Sequence, residues 1–337
     1  MTGSADAVTT LLTHWLLADD PRPLQIATSG STGEPKRVAL PRSAIEASVH
    51  ATHAFLGGPG QWLLTLPPTY VAGVQVLARS LLAGERPVLA ERFPDLAAAV
   101  GAMTGVRRYG SLVPTQLVRA LEVPADRDAL ASLDAVLLGG ARLDPAVRRR
   151  AEDAGIRVVA TYGMSETAGG CVYDGRPLPG VEVRIDDEGR VWLRGPMLAE
   201  GYVGDPARTA RTFVDGWYRT DDLGELTADA HGPLLRLLGR ADDVINSGGV
   251  KVAAAAVAAR LREHPAVAAA EVLGVPDPEW GERVVAHVVG DLDLAAARDW
   301  VAAVHPRTWA PQILRHHDAL PLLANGKIDR MRLREES

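Results

Sequence analysis

Residues 28–36 read Thr-Ser-Gly-Ser-Thr-Gly-Glu-Pro-Lys, a run that could grip a polyphosphate. The hydroxyls of Thr28, Ser29, Ser31 and Thr32 can donate to phosphate oxygens. Gly30 and Gly33 let the backbone turn tightly and point its N–H groups at an anion. Lys36 adds a cation on a flexible stem. The run is no Walker loop, because Gly-x-x-x-x-Gly-Lys-Ser/Thr fits none of its frames. A flexible polar loop is the plain alternative.

Four more constellations follow. Tyr162-Gly163-Met164-Ser165-Glu166-Thr167 comes after an apolar strand over 157–160, where α/β sheets place ligands. Its ring offers a face for a base, Ser165 can donate to a phosphate, and Glu166 offers Mg²⁺ a hard oxygen. A turn opening a helix is the other reading. Gly139, Gly140 and Ala141 end the strand before it and would let a planar ring approach the backbone. In Tyr218-Arg219-Thr220-Asp221-Asp222 a carboxylate could accept from the vicinal hydroxyls of ribose, or sit in a charged turn. Arg240 with Asp242 and Asp243 reads equally as a surface ion-pair cluster. Lys251 closes Asn-Ser-Gly-Gly-Val-Lys, and Lys327 sits on a glycine-containing loop near the C-terminus. Blander features are His50 and His53, one helical turn apart with no third metal ligand in view. His316-His317 reads as a surface pair, and Arg148-Arg149-Arg150 as a solvated helix face.

The elements that must position these residues are legible from periodicity. Short strands over 24–27 and 38–40 flank the hydroxyl loop. Helices are predicted over 5–18, 42–56, 74–82, 114–121 and 145–154, and strands over 62–66, 86–89, 135–138 and 157–160. That alternation predicts an α/β layer with a mostly parallel sheet. Residues 181–185 and 190–194 alternate with period two around a turn, so 181–238 reads as a small antiparallel or barrel-like unit. Helices over 253–264 and 293–304 with strands over 268–273 and 283–289 predict a separate α+β domain at the end.

At 337 residues about two domains are expected. A net charge of −6 with no basic stripe argues against nucleic acid as a partner. Cys171 is the only cysteine, which excludes an intrachain disulfide and suits a reducing cytoplasm. No secretory leader and no stretch long enough to insert into a membrane is evident.

The joint order of these motifs is far more specific than any one of them. Over residues 24–332 the chain resembles the acyl-adenylate-forming superfamily of acyl-CoA synthetases, adenylation domains and luciferases. The resemblance implies ATP, Mg²⁺ and CoA as cofactor and co-substrates, and a small carboxylic acid as substrate. Residues 28–36 would hold the β- and γ-phosphates, and Tyr162 with Gly163 and 139–141 would hold adenine. Ser165 would touch the α-phosphate, Glu166 the Mg²⁺, Asp222 the ribose, and Arg240 the ribose or phosphate. Lys327 would serve adenylation and Lys251 the thioester step, with Asp242 as hinge. The implied domains are 1–240, a large α/β adenylation domain with a truncated first subdomain, and 241–337, a small mobile one. Homodimer formation is left open.

Within the superfamily the chain is similar to short actinobacterial o-succinylbenzoate–CoA ligases. The matches are 57–64, 108–113, 162–175 and 220–224. Those ligases often carry His where Tyr70 precedes Val71-Ala72-Gly73; with Gly169, this loop would line the acid pocket. Two further departures are Asp221, where Gly is usual, and the alanine-rich stretch 253–259 after Lys251. The implied function is acyl-adenylate formation and then CoA ligation. A ligase for another aromatic or short dicarboxylic acid, and an impaired nucleotide-binding homologue, are the alternatives.

Overall fold

A computed structural model describes residues 2–28, 36–323 and 328–337. The chain divides into two compact units. One comprises Met1–Arg184, Trp192–Arg219 and Leu226–Leu235; the other Ile185–Val191, Thr220–Glu225 and Arg236–Ser337.

The first unit is built on a seven-stranded sheet. Its order is Val88–Leu89, Gln61–Leu64, Arg108–Leu112, Ala135–Leu138, Val158–Met164, Gly169–Tyr173 and Arg176–Pro177. The first five strands are parallel, Gly169–Tyr173 runs back against them, and Arg176–Pro177 pairs antiparallel with Gly169–Tyr173. Gln61–Leu64 and Ala135–Leu138 are buried at every residue, as expected for strands covered on both faces. Trp62, Leu64, Ala135, Leu137 and Val159 pack with Ile45, Val49, Val74 and Leu77 of the helices Arg42–Leu56 and Val71–Leu82. Leu63, Val136, Leu138 and Val158 point the other way, into a core with Val100, Leu117, Leu130 and Ala151 of four further helices. The period of two thus divides each strand between two cores.

A second sheet in this unit joins Leu24–Thr28, Lys36–Leu40 and Gly201–Tyr202, with Lys36–Leu40 in the middle. Thr28 and Lys36 are cross-strand partners. Residues 29–35, which hold most of the expected phosphate loop, lie outside the described residues.

The second unit carries the sheet order Val250–Ala253, Val244–Ser247, Gly281–Gly290, Val267–Asp277, with Ile313–His316 parallel to Gly281–Gly290. Helices Ala254–Arg262 and Leu294–Ala302 supply Val257, Leu261 and Val301 to its core. Gly248 and Gly249 both take positive φ and form the tight turn between the first two strands. Arg330, at the start of helix Arg330–Glu335, bonds Asp243 at 2.5 Å and Glu271 at 2.7 Å, which ties that helix to the sheet.

The α/β alternation expected from the sequence is present, and so is the α+β character of the end of the chain. Several elements were not anticipated: the helices Leu96–Gly101, Pro124–Ala131 and Pro206–Thr212, and the long strands Trp217–Asp229 and Gly232–Arg240. The latter two join Glu182–Ile185, Arg190–Arg194 and Phe213–Val214 in one five-stranded sheet, the small β unit expected there. Arg148 is no free surface cation: it pairs with Asp174 at 2.7 Å, and the same Asp174 oxygen accepts from Ala160 N. His317 is no surface residue either, because its Nε2 lies 2.9 Å from Nδ1 of the buried His287. The lone thiol, Cys171, is buried, and burial pushes its pKa up to about 12.

Two histidines make folding sensitive to acid. Burial, with Arg79 and His50 adding repulsion, lowers the His53 pKa from 6.5 to about 4. Burial, with repulsion from His317, does the same for His287. Both rings are neutral when folded but take up protons below 6.5 when unfolded. Their contribution is therefore intact above pH 6.5 and is lost as pH falls towards 4. The slope approaches about 1.4 kcal/mol per pH unit for each ring. Urea unfolding at pH 7.5, 6 and 5 should show this slope, and His287→Gln should reduce it by about one proton. Parallel pH profiles for the two proteins would remove His287 from the account.

Candidate active site

Two of the expected nucleotide segments, 139–141 and 162–166, lie at the carboxyl ends of neighbouring parallel strands. Tyr162, Gly163 and Met164 continue strand Val158–Met164 and do not open a helix. Strand Gly169–Tyr173 folds straight back on them, pairing Gly163 with Gly170 and Met164 with Gly169. The crossing is so close that a Cβ on Gly163 would lie 2.0 Å from the Gly169 carbonyl oxygen. Between the strands, Ser165–Thr167 forms one tight turn. The Thr167 hydroxyl closes it, lying 2.9 Å from Met164 N and 2.7 Å from Gly169 O. On the neighbouring strand, Gly139 donates to Leu112 O at 3.2 Å. A Cβ there would come 2.8 Å from the Thr161 hydroxyl. The strip 139–141 therefore follows the strand that pairs Leu138 with Ala160, beside half-buried Tyr162.

Glu166 is 8% exposed and points at the second sheet. The Tyr202 hydroxyl donates to its Oε1 at 2.8 Å. Tyr202 in turn pairs with Val38 on the strand that begins at Lys36. The phosphate-loop strand and the Ser165-Glu166 turn are thus brought together, although more than 120 residues separate them. Burial, and then the Glu166 charge, raise the Tyr202 phenol well above its ordinary range. The same causes raise Tyr218, which hydrogen-bonds Tyr202. A carboxylate with one oxygen held by a phenol and no hydrogen bond to the other among the described residues suits a hard cation such as Mg²⁺.

The expected acid pocket centres on helix Val71–Leu82, whose N-cap is Tyr70. Gly73 lets the first turn settle against the preceding loop: a Cβ would fall 2.2 Å from Pro67 O. Gly169, at φ +98°, faces the same helix, and its missing Cβ would meet Gln75 Cγ at 3.2 Å and Val71 Cγ2 at 4.0 Å. Gln75 Nε2 donates to Ala168 O at 2.7 Å. One helical turn further on, Arg79 is 4% exposed. Its Nη2 donates to the Tyr173 hydroxyl at 3.2 Å, and its guanidinium lies 4.8 Å over the Trp62 ring. Among the described residues it has no acidic partner.

Asp222, Arg240, Asp242 and Lys251 belong to the second unit. Arg240 lies 3.6 Å from Asp222 and 3.6 Å from Asp221, so these two motifs also meet. The buried Thr220 hydroxyl bonds Val191 O at 2.7 Å and holds Asp222 N at 3.0 Å. Lys251 is exposed on the hairpin, opposite Asn246. Asp242 lies in the turn Ala241–Asp243. The side chains of Thr28 and Asp242, and all of Ser29, Gly30, Ser31, Thr32, Gly33 and Lys327, lie outside the described residues.

Sequence reasoning passed over Tyr202, Gln75 and Arg79. The Val71, Gln75 and Arg79 spacing of four marks one helix face, and two polar residues on a face facing a core were an available signal. Tyr202 carried none, because its partner is remote in sequence.

Comparison with known proteins gives the same picture. Residues 18–203 match the AMP-binding enzyme family, and 256–327 its C-terminal domain. A probable 2-succinylbenzoate–CoA ligase of Mycobacterium tuberculosis is 46% identical, over 94% of this chain and 84% of that protein. The o-succinylbenzoate CoA synthetase of Bacillus subtilis, solved with its acyl-adenylate intermediate, superposes with a TM-score of 0.77 at 27% identity. That match covers 92% of this chain and 68% of the other. An amide bond synthetase from Marinactinospora thermotolerans gives 0.79 at 33% identity, over 91% and 67%. With both of its family regions matched, and with a relative 46% identical over 94% of its length, the chain belongs to the AMP-binding enzymes, the acyl-adenylate-forming ligases.

Proposed function

We propose that this chain is an ATP-dependent o-succinylbenzoate–CoA ligase. The observation that carries the choice of acid is Arg79. A buried guanidinium without a carboxylate is costly, and a substrate anion would offset that cost. o-Succinylbenzoate has two carboxylates, so one can be activated while the other pairs with Arg79. The Mycobacterium tuberculosis relative supports the same acid.

In the first half-reaction a carboxylate oxygen of the acid attacks the α-phosphorus of ATP, and pyrophosphate leaves. The protein must align two anions and offset their repulsion. Residues 28–36 grip the β- and γ-phosphates, Tyr162 and 139–141 hold adenine, and Ser165 meets the α-phosphate. Asp222 and Arg240 engage the ribose. Glu166 would hold Mg²⁺, which supplies charge neutralisation along the polyphosphate. Lys327 compensates charge at the α-phosphate. In the second half-reaction the CoA thiolate attacks the acyl carbonyl and AMP leaves with the phosphate oxygen. We assign residues 1–240 to the adenylation domain and 241–337 to a domain that turns about Asp242, withdrawing Lys327 and presenting Lys251.

Pyrophosphate release from ATP with a panel of acids, with and without CoA, tests the assignment. o-Succinylbenzoate should be the preferred acid, and AMP turnover should require CoA. Preference for a monocarboxylic acid would replace this reading. Arg79→Gln should raise KM for o-succinylbenzoate about tenfold or more, since a hydrogen bond to a charged group is worth about 1.5–3 kcal/mol. AMP binding should not change, and an unaltered KM would separate Arg79 from the substrate. Lys327→Ala should slow adenylation by about 10²-fold or more. It should still convert supplied acyl-adenylate to thioester, and equal losses in both halves would refute the division of labour.

A further inference from the structure

We propose that Tyr202 is a positioning residue that aims the Glu166 carboxylate and yokes it to the strand leaving the phosphate loop. This role presupposes Glu166 as the Mg²⁺ carboxylate.

A glutamate side chain has three rotatable bonds, and a buried one must have its charge met. Here a single side-chain hydrogen bond meets it, from the Tyr202 hydroxyl to Oε1 at 2.8 Å. That bond takes one oxygen and leaves the other to a cation. The phenol is itself held on every side. Its backbone pairs with Val38, and its N donates to the Thr209 hydroxyl at 2.9 Å. Arg208 lies 5.0 Å over the ring and Phe213 meets it edge-on at 6.0 Å. Phe213 also packs 5.1 Å from Tyr218, the residue behind Tyr202 in the hydroxyl chain that ends at Glu166. Gly201 makes room for this: a Cβ there would lie 2.3 Å from Thr209. The turn after Glu166 is fixed to the same segment, since Ala199 N donates to Glu166 O at 2.9 Å. Glu200 N and Val203 N bond Ala39 O and Arg37 O. Residues 199–203 are therefore a short bar bolted at one end to the metal carboxylate and along its length to the strand that starts at Lys36. A shift of that strand on polyphosphate binding is transmitted to Glu166 through one phenol.

Partners that orient a metal ligand are typically worth 10–100-fold in metal affinity. The test is Mn²⁺ binding followed by electron paramagnetic resonance with ATP present and no acid, so that nothing turns over. Tyr202→Phe keeps the ring and should weaken Mn²⁺ about tenfold with metal-free AMP affinity unchanged, while the melting temperature falls because the buried Glu166 carboxylate loses its donor. Restoring full rates with excess metal would mark the defect as positional. If wild-type protein binds no Mn²⁺ with ATP, the reading of Glu166 fails. If it binds and folded Tyr202→Phe binds equally well, the yoke alone is overturned. Should Tyr202→Phe not fold, Tyr218→Phe decides: a loss of about threefold is expected, and unchanged affinity overturns the proposal.

Discussion

The site depends on one backbone crossing. Strand Gly169–Tyr173 turns back across Val158–Met164 with only a glycine's width between them. A parallel sheet ends in separate loops, each free to wander, whereas this reversal locks the last strand to the next. It fixes where Tyr162 stands, forces Ser165 and Glu166 into a three-residue turn, and delivers Gly169 to the helix Val71–Leu82. Several expected ligand contacts are thus consequences of a single steric requirement at Gly163.

Charge is handled differently in different places. At the surface of the first unit, Arg148 meets Asp174, and that carboxylate also takes a backbone N–H, so the pair ties the helix Pro145–Asp153 to the strand edge. In the second unit Arg330 is met by two carboxylates. By contrast, buried Arg79 has a phenol and an indole and, among the described residues, no anion. Folds rarely leave a buried guanidinium so unless something else supplies the counter-charge. The treatment of similar side chains is thus uneven: two are paired with carboxylates and one is held by aromatic groups.

Much of the architecture was readable beforehand because its strands are short apolar runs bounded by glycine or proline. Residues 61–66 and 135–140 are of this kind. Helix Arg42–Leu56 begins after Pro41 and ends at Gly57 in the left-handed conformation, and both limits were visible. What escaped was of two sorts. Gly163 looked like a turn residue, although its function is close approach within a strand. Tyr202, Asp174 and His317 owe their importance to partners 36, 26 and 30 residues away, and local pattern carries no record of such pairings. The motifs expected to bind nucleotide were visible because the resemblance carried them; the hydrogen bond from Tyr202 to Glu166 was not.

Cys171 offers a practical consequence. Its thiol faces the interior and its pKa sits about 12, so at neutral pH almost no thiolate is present to react. It is the only cysteine in 337 residues. Maleimide dyes or spin labels would therefore find no native target on the folded enzyme. A cysteine introduced on each unit would carry its reporter alone, making the chain a ready substrate for inter-probe ruler experiments without first building a thiol-free background.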